Sequence, residues 1–430
     1  MNRFFTAACT WILVGLLSLL AMAQDSKGRQ WIGTWATAPQ PPEPGQVKIF
    51  RNQTLRLIVH SSTGGTRVRI KISNTFGDHP LVIGGAHIAL RADVADIDPS
   101  SDRMLKFEGK SSTTIAAGSI AVSDPVLLEV PALSDLAVSL FLPQSTEAKT
   151  LHVLALQTSY VSQTGDSTAN VKFPVSEKIH TWPFLTGVDV EVSAHGAAIV
   201  AFGSSLTDGD GTESDSNGRW PDVLAQRLQK SFDGKAELGV LNEGIIGNRL
   251  LNDSPVDAAG GRFGSVLGQA GLARFDRDVL TESGVKYVIV GLGINDIAMP
   301  GSLTPATDGV KAESIIAGYR QLISRAHQKG IRIIGTTNPP FENSFLDLGP
   351  PGPPITFYTP EKESVRQKVN AWIVSSGEFD GVVDLDAVVR DPSRPTQLLP
   401  NYDSGDHLHP NNAGCRAEGS AFPVALFQSH

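Results

Sequence analysis

Two segments in the second half of the chain carry side chains suited to attack on a substrate and to proton transfer. The loop Gly203–Gly209 follows an apolar run and contains Ser204 and Ser205. A serine at a strand-to-helix turn can project its hydroxyl above a sheet, and the backbone N–H groups after it can face a developing oxyanion. Near the C-terminus, Asp406 stands three residues before His409. A carboxylate at this spacing in a turn can hold one imidazole nitrogen while the other faces outward as a base.

Two further segments could contact a bound ligand. The segment Asn242–Asn248 contains glycines, among them Gly247, that let the backbone approach a ligand closely. The segment Gly293–Asp296 places the amide of Asn295 at the end of an apolar run. An amide in that position is a hydrogen-bond donor at a strand end.

The elements expected to position these segments alternate between strand and helix. After Ala194, short apolar runs alternate with helical stretches, and Ala312–Gln328 shows the i, i+3/i+4, i+7 apolar spacing of a helix packed on a sheet. This alternation predicts an α/β fold with a parallel sheet covered on both faces, in which active sites form at the carboxyl ends of the strands. The predicted strands are Ala198–Phe202, Val240–Leu241, Tyr287–Leu292, Ile331–Thr336 and Gly381–Leu385, and the other predicted helices are Trp220–Gln229, Leu267–Leu280 and Glu361–Val374.

The first half has a different period. From Trp31 to about Val190, apolar and polar residues alternate, and short strands are separated by Gly-, Pro- and Ser-rich breaks. This pattern predicts a β-sandwich or jelly roll. The half shows no titratable cluster with catalytic spacing. The row Arg67, Arg69, Lys71 could bind an anionic ligand, but we interpret it as a solvated strand face.

The four segments together resemble the conserved blocks of the SGNH (GDSL) hydrolase family. They are GSSLTDG, NEGIIGN, GIND and DHLHP, in the family's order. With WIGTWATAP near the start and RWPDVLAQRL after the first block, the whole chain resembles the two-domain secreted arylesterase/acylhydrolase branch. The resemblance implies a β-sandwich (jelly-roll-like) domain over residues 24–190, then a three-layer α/β/α flavodoxin-like hydrolase domain with a parallel sheet over residues 194–430.

The resemblance also implies a role for each matching residue. It places the nucleophile at Ser205, the base at His409 and the orienting carboxylate at Asp406. It places the oxyanion-hole donors at the backbone N–H of Ser205, at Gly247 and at Asn295. No metal and no cofactor are implied, and the expected activity is hydrolysis of carboxylic esters.

The chain departs from the family pattern at Ser204, where the family usually has aspartate. That aspartate is not a triad member, so we expect the chemistry to survive, with some loss of rigidity or an altered pH profile. The change also leaves Ser204 as a rival nucleophile, although its neighbour Ser205 holds the matching place before Leu-Thr.

Several other residues favour structural interpretations. The acids of DGDGTESD, which are Asp208, Asp210 and Asp215, lack the order of a calcium loop and are interpreted as a solvated loop. His407 is interpreted as structural or solvent-facing. The strand-end acids Asp384 and Asp386 could be mistaken for the triad acid, and GLGIND does not complete a dinucleotide motif.

The net charge and the cysteine content restrict the expected partners and the expected cysteine chemistry. The formal net charge of −8 gives the chain no global attraction for nucleic acid or anionic lipid, so neither is an expected partner. The cysteines are Cys9 and Cys415, which leaves one cysteine and no intramolecular disulfide if the N-terminal segment is removed. We interpret Cys415 as structural rather than nucleophilic.

The N-terminus has the features of a secretory signal. Arg3 precedes an apolar stretch that ends in Ala21-Met22-Ala23, a small-x-small pattern before Gln24. Residues 1–23 are therefore predicted to be a cleaved signal peptide, which implies a secreted or periplasmic protein without a membrane span after cleavage. An uncleaved membrane anchor is the alternative.

The leading functional hypothesis is a secreted serine ester hydrolase that acts on short-chain, aryl or acetyl esters, including acetylated polysaccharide. The alternative is a non-catalytic carbohydrate-binding protein, in which the sandwich binds a glycan and Ser204 marks a decayed hydrolase domain. Hydrolysis of amides or thioesters by the same triad is a third option.

Overall fold

The computed structural model describes residues 28–257, 261–350 and 352–428, so the predicted signal peptide lies outside the described residues. In the first half the strands are, in chain order, β1 (Arg29–Ala36), β2 (Ile49–His60), β3 (Gly65–Ser73), β4 (Leu81–Ile83), β5 (Gly85–Asp93), β6 (Asp96–Ile97), β7 (Arg103–Met104), β8 (Thr113–Ile115), β9 (Ile120–Val122), β10 (Val126–Val130), β11 (Asp135–Glu147), β12 (Leu151–His152), β13 (Ser159–Thr164), β14 (Val175–Ile179), β15 (Trp182–Pro183) and β16 (Leu185–Ser193).

These strands form an all-β region of antiparallel sheets, as the period-two pattern predicts. One sheet has the order β1-β16-β3-β10, with β9 beside β3. The other has the order β14-β13-β2-β11-β5-β6, with β7 beside β5. Alternate residues of both sheets share one core, for example Leu57 of β2, Ile70 of β3, Val138 of β11 and Val188 of β16. The jelly-roll connectivity stays a prediction.

In the second half the strands are β17 (Ala197–Gly203), β18 (Leu238–Gly244), β19 (Val285–Gly291), β20 (Arg332–Thr336), β21 (Phe345–Leu346), β22 (Ile355–Thr356), β23 (Gly381–Val383), β24 (Arg390–Asp391) and β25 (Arg394–Leu398). The helices are α1 (Ser205–Asp208), α2 (Trp220–Ser231), α3 (Gly271–Phe275), α4 (Ile294–Ala298), α5 (Ala312–Gln328), α6 (Pro360–Ser375), α7 (Leu385–Val389) and α8 (Asn412–Ala421). A π-helix, Asp276–Leu280, continues α3, and short 3₁₀ turns occupy Ala306–Asp308 and Val424–Phe427.

The main sheet of this half is parallel, with the strand order β18-β17-β19-β20-β23. Alternate residues of β17 point to opposite faces. Val200 and Phe202 share a core with Ile315 of α5, whereas Ile199 shares the other core with Leu224 of α2. Helices therefore cover both faces, and the α/β prediction is confirmed. Among the helices of the described residues, none has the length and apolar character needed to cross a membrane.

The two halves pack closely against each other. Gly33 of β1 donates its N–H to the carbonyl of Ser283 (2.9 Å). A Cβ at Gly33 would lie 2.6 Å from Leu241 Cδ1, so any larger residue would require the Leu241 side chain to shift. Thr63 adds a buried hydrogen bond, because its Oγ1 donates to the Ala236 carbonyl (2.7 Å).

The basic row of β3 lies at this interface. Arg69 Nε donates to Asp189 Oδ2 (2.9 Å), and Lys71 Nζ donates to Glu282 Oε2 (2.9 Å). The side chain of Lys71 is 13% exposed. Our interpretation of this row as a solvated face is therefore wrong at Lys71, because the second half of the chain covers that side chain.

Candidate active site

The turn that contains both candidate serines lies at the carboxyl end of β17, a strand of the parallel sheet. β17 ends at Gly203, Ser204 caps the next element in extended conformation, and Ser205 is the first residue of α1. The first N–H groups of a helix have no acceptor within the helix, so the Ser205 N–H is available to an oxygen above the sheet. Asp210 ends the turn by donating its N–H to the Ser205 carbonyl (3.0 Å).

The structure brings Ser205, His409 and Asp406 together. His409 Nε2 lies 2.8 Å from Ser205 Oγ, and His409 Nδ1 lies 2.5 Å from Asp406 Oδ2. Because an ionised carboxylate can only accept, Nδ1 carries a proton and Nε2 is left to accept the hydroxyl proton. Asp406 Oδ1 also accepts the backbone N–H groups of Leu408 and His409, each at 2.9 Å. The carboxylate is therefore fixed by its own turn.

The surroundings of the imidazole shift the pKa values of both His409 and Asp406. Burial by itself lowers the pKa of His409, but the hydrogen bond that it donates to Asp406 and the negative charges of Asp210, Asp406 and Asp403 outweigh burial and raise this pKa above its ordinary value. Burial raises the pKa of Asp406, but the hydrogen bond and positive charge of His409, with the backbone N–H donors, hold it well below its usual range. Asp406 is thus an anion throughout the physiological range.

Asp210 is a site residue that sequence reasoning missed. We interpreted it as part of a solvated loop, yet its Oδ2 lies 3.8 Å from His409 Nε2. Its side chain is 34% exposed, so the carboxylate is partly open to solvent beside the imidazole. Its place five residues after Ser205, in the same short turn, is the sequence signal that could have identified it.

The candidate oxyanion loop follows β18. Gly247 has a φ of 68°, and a Cβ there would also lie 2.8 Å from Leu267 Cδ2. Asn295, in the first turn of α4, donates one amide hydrogen to the Asn248 carbonyl (3.0 Å). This bond leaves the second hydrogen of the Asn295 amide for another acceptor.

Buried polar groups hold this loop in shape. Asp296 accepts the N–H groups of Leu250 (2.7 Å) and Leu251 (2.9 Å), and burial raises the pKa of its carboxyl to about 6. The Asn248 side-chain oxygen accepts from Arg274 Nε (3.0 Å). The terminal nitrogens of Arg274 also donate to the carbonyls of Glu243 near the end of β18 and of Gly203 at the end of β17. The nucleophile turn and the oxyanion loop therefore share one buried support.

The remaining acids of the first block go to different places. Asp208 is buried against His152 of the first half, with 2.9 Å between Oδ1 and Nε2. Asp215 accepts from Gln157 Nε2 (2.9 Å) and Thr158 Oγ1 (2.6 Å). In the described part of the chain, no group of three or more His, Cys, Asp or Glu side chains is arranged to hold a metal ion.

The hairpin of β21 and β22 packs beside the turn that carries Asp406 and His407. The N–H of Phe345 in β21 donates to the Asp406 carbonyl (3.2 Å), and its ring lies 6.0 Å from the His407 ring. His407 has a φ of 65° and pairs through Nδ1 with Asp403 (2.5 Å). Its side chain is 44% exposed, so it faces solvent beside the site.

The rival candidates lie apart from the imidazole. Ser204 is fully buried, and its hydroxyl has no hydrogen-bond partner among the described residues. Asp384 accepts from Thr337 (2.8 Å), and Asp386 pairs with Arg366 (2.7 Å). Cys415 is buried in α8, where burial raises its thiol pKa well above the usual value.

One family model and several solved structures match about half of the chain. A model of the GDSL-like lipase/acylhydrolase family matches residues 201–417. The chain is similar to the solved structure of an aryl esterase from M. smegmatis, at 21% identity and a TM-score of 0.38, over 54% of this chain and 98% of that chain. It is also similar to a GDSL-like lipase from Bacteroides thetaiotaomicron, at 17% identity and a TM-score of 0.34, over 54% of this chain and 88% of that chain. A carbohydrate acetylesterase from Sinorhizobium meliloti matches at 16% identity and a TM-score of 0.36, over 52% of this chain and 95% of that chain. No curated protein matches the chain.

Proposed function

The chain belongs to the GDSL-like lipase/acylhydrolase family, and from this premise we propose that it hydrolyses carboxylic esters with a Ser205–His409–Asp406 triad. The observation that carries the proposal is the contact of 2.8 Å between His409 Nε2 and Ser205 Oγ, with Asp406 on the other imidazole nitrogen. A free serine hydroxyl is a weak nucleophile, and a hydrogen-bonded base activates it.

The first half of the reaction forms an acyl-enzyme. Ser205 Oγ attacks the ester carbonyl carbon while its proton passes to His409 Nε2. The carbonyl oxygen becomes an oxyanion, held by the N–H groups of Ser205 and Gly247 and by the free amide hydrogen of Asn295. The bond to the alcohol oxygen then breaks, and His409 gives its proton to that leaving oxygen.

The second half returns the enzyme to its starting state. Water gives a proton to His409 Nε2 and attacks the acyl carbon. The bond to Ser205 Oγ breaks, Oγ recovers the proton, and the carboxylic acid leaves. Asp406 stays ionised throughout and stabilises the imidazolium, a role that suits its lowered pKa.

We propose short-chain aryl or acetyl esters as substrates, with acetylated polysaccharide as one source. Polar side chains lie near the triad: Asp210 is 3.8 Å from His409 Nε2, and the exposed His407, paired with Asp403, stands two residues before His409. A polar rim of this kind favours a hydroxylated alcohol and a small acyl group over a long lipid chain. We also propose export, with cleavage after Ala23, which N-terminal sequencing of secreted protein beginning at Gln24 would test.

The test is turnover of p-nitrophenyl acetate by the wild type and by Ser205→Ala. We expect the variant to lose at least about 10³-fold in kcat. A serine-directed organophosphonate should inactivate the wild type, with mass spectrometry placing the label on Ser205. Label on Ser204, or full activity in Ser205→Ala, would overturn the triad assignment. No turnover in the wild type would favour the carbohydrate-binding alternative, and an acyl-length series beside acetylated xylan would define the substrate.

A further inference from the structure

A histidine of the all-β half reaches the catalytic half beside the nucleophile. His152 lies in β12, which pairs with β15, and its ring lies 5.8 Å from that of Trp182. Its Nε2 lies 2.9 Å from Asp208 Oδ1, and its Nδ1 lies 2.9 Å from the carbonyl oxygen of Ala38. The side chains of His152 and Asp208 are each 1% exposed. The contact is therefore buried between the two halves of the molecule.

Asp208 connects this histidine to both parts of the proposed catalytic machinery. It is the last residue of α1, three positions after Ser205. Its second oxygen, Oδ2, accepts the N–H of Ile246 (3.0 Å). Ile246 directly precedes Gly247, so one carboxylate joins the nucleophile turn to the oxyanion loop.

The partners of His152 define its hydrogen bonding. A backbone carbonyl oxygen only accepts, so Nδ1 must donate to Ala38. Asp208 accepts the N–H of Ile246 through Oδ2 and is hydrogen-bonded to His152 Nε2 through Oδ1. The contact is a buried hydrogen-bonded pair in which each polar atom has a partner. Removing the imidazole would leave the Asp208 carboxylate buried with a single hydrogen bond, which is costly.

We propose that His152 is a positioning residue for ester hydrolysis. Through Asp208, it fixes the position of Ser205 relative to Gly247. The proposal rests on the function proposed above. It extends the active-site support beyond the family-matched residues 201–417 into the all-β half.

The expected effect follows from how steeply catalysis depends on geometry. A displacement of about 1 Å at the reacting groups can cost about 10²-fold in rate. Since His152 contacts Asp208 and not Ser205, its loss should lower kcat about 10- to 100-fold and change KM less than about 3-fold.

The experiment compares His152→Ala with His152→Gln and with Thr63→Val, by kcat and KM for p-nitrophenyl acetate and by thermal unfolding. The glutamine amide can donate to Asp208 from near the position of Nε2, so this variant should keep more of kcat than the alanine variant. Thr63→Val is the matched control, because it removes a buried hydrogen bond between the same two halves at Ala236, before β18 begins. It should lower the unfolding temperature and leave kcat unchanged.

Three results would decide against the proposal. Folded His152→Ala with wild-type kcat, or His152→Gln with a kcat no higher than that of His152→Ala, would overturn it while leaving the ester hydrolase function intact. A fall in kcat in Thr63→Val equal to that in His152→Ala, at a matched loss of stability, would show a general effect of domain contact. A wild type without turnover would instead remove the proposed function, and the inference with it.

Discussion

Two histidine–aspartate pairs contact the short helix α1, one at each end. At the start of the helix, His409 of the second half contacts Ser205 and is held by Asp406. At its end, His152 of the first half contacts Asp208. The side chain of His409 is 13% exposed, whereas that of His152 is 1% exposed. The same residue types thus form an accessible pair, His409 with Asp406, and a buried pair, His152 with Asp208.

The comparison shows that the partner of the second nitrogen decides what a histidine–aspartate pair can do. In the accessible pair, Nε2 faces a hydroxyl that can give up its proton, so the imidazole can act as a base. In the buried pair, Nδ1 faces the Ala38 carbonyl oxygen, which has no proton to give. The first pair can therefore move a proton, and the second can only fix positions.

The largest effect should come from making the same isosteric change in both pairs. Asp406→Asn should lower kcat about 10³- to 10⁴-fold, because the imidazole loses its correct tautomer and orientation. Asp208→Asn should stay within about 3-fold of the wild type, because its amide can donate to a neutral His152 and its oxygen can still accept from Ile246. Steady-state kinetics on p-nitrophenyl acetate measure both. Equal losses in the two variants would contradict the distinction.

Asn295→Ala should have the next largest effect, since it tests the oxyanion loop that the buried pair is proposed to hold. Losing one oxyanion donor costs about 10²- to 10³-fold in kcat. Asn370→Ala is the control, because Asn370 donates a similar buried amide hydrogen bond to the Asn338 carbonyl (2.8 Å) outside the site. If the control falls as far as Asn295→Ala, the loss reflects folding rather than catalysis.

Asp210→Asn should shift the pH profile of the accessible pair. The base must be neutral, so activity rises with pH through the pKa of His409, which lies above its ordinary value. Removing the Asp210 charge lowers that pKa and should move the rising limb to lower pH. Activity on the high-pH plateau should stay within about 2-fold. A limb that stays in place or moves to higher pH in a kcat/KM profile would show that Asp210 does not influence the base.

Ser204→Ala should have the smallest effect. Among the residues that the structure describes, the buried Ser204 hydroxyl has no partner, so its removal should leave kcat within about 2-fold and stability unchanged or higher by about 1 kcal/mol. Denaturant unfolding and the same ester assay measure both quantities. A loss of activity comparable to that of Ser205→Ala would make Ser204 the nucleophile.

Much of the fold could be predicted from periodicity. The apolar stripe of Ala312–Gln328 matches α5 in both bounds, because one face of that helix packs on the sheet along its length. The stretch Leu267–Leu280 was predicted as one helix, but α3 begins only at Gly271. Gly268, three residues before this helix, has a φ of 80°, which an α-helix cannot contain, so the helix begins only after it. The family assignment, which rests on four short blocks, is confirmed.

The support of the site could not be predicted in the same way. His152 and Asp208 are 56 positions apart and belong to halves with different periods, so no local spacing connects them. We found no titratable cluster with catalytic spacing in the first half, and the sequence therefore contains no signal that His152 contacts Asp208. The position of Asp210, five residues after Ser205, places it near the nucleophile turn, but its approach to His409 depends on a contact between distant segments. The roles of the three triad residues stay predictions until their variants are measured.

The connection between the halves limits how the molecule can move. β16 ends at Ser193 and β17 begins at Ala197, so residues 194–196 span the joint, a reach of about 10 Å. The Ala194 N–H donates to the Gly28 carbonyl, and the Ala197 N–H donates to the Glu237 carbonyl, each at 2.9 Å. This short connection, together with buried hydrogen bonds between the halves such as that from Thr63 to Ala236, opposes a jaw-like opening of the two halves. We therefore expect substrate entry and product release to depend on loops at the carboxyl edge of the parallel sheet.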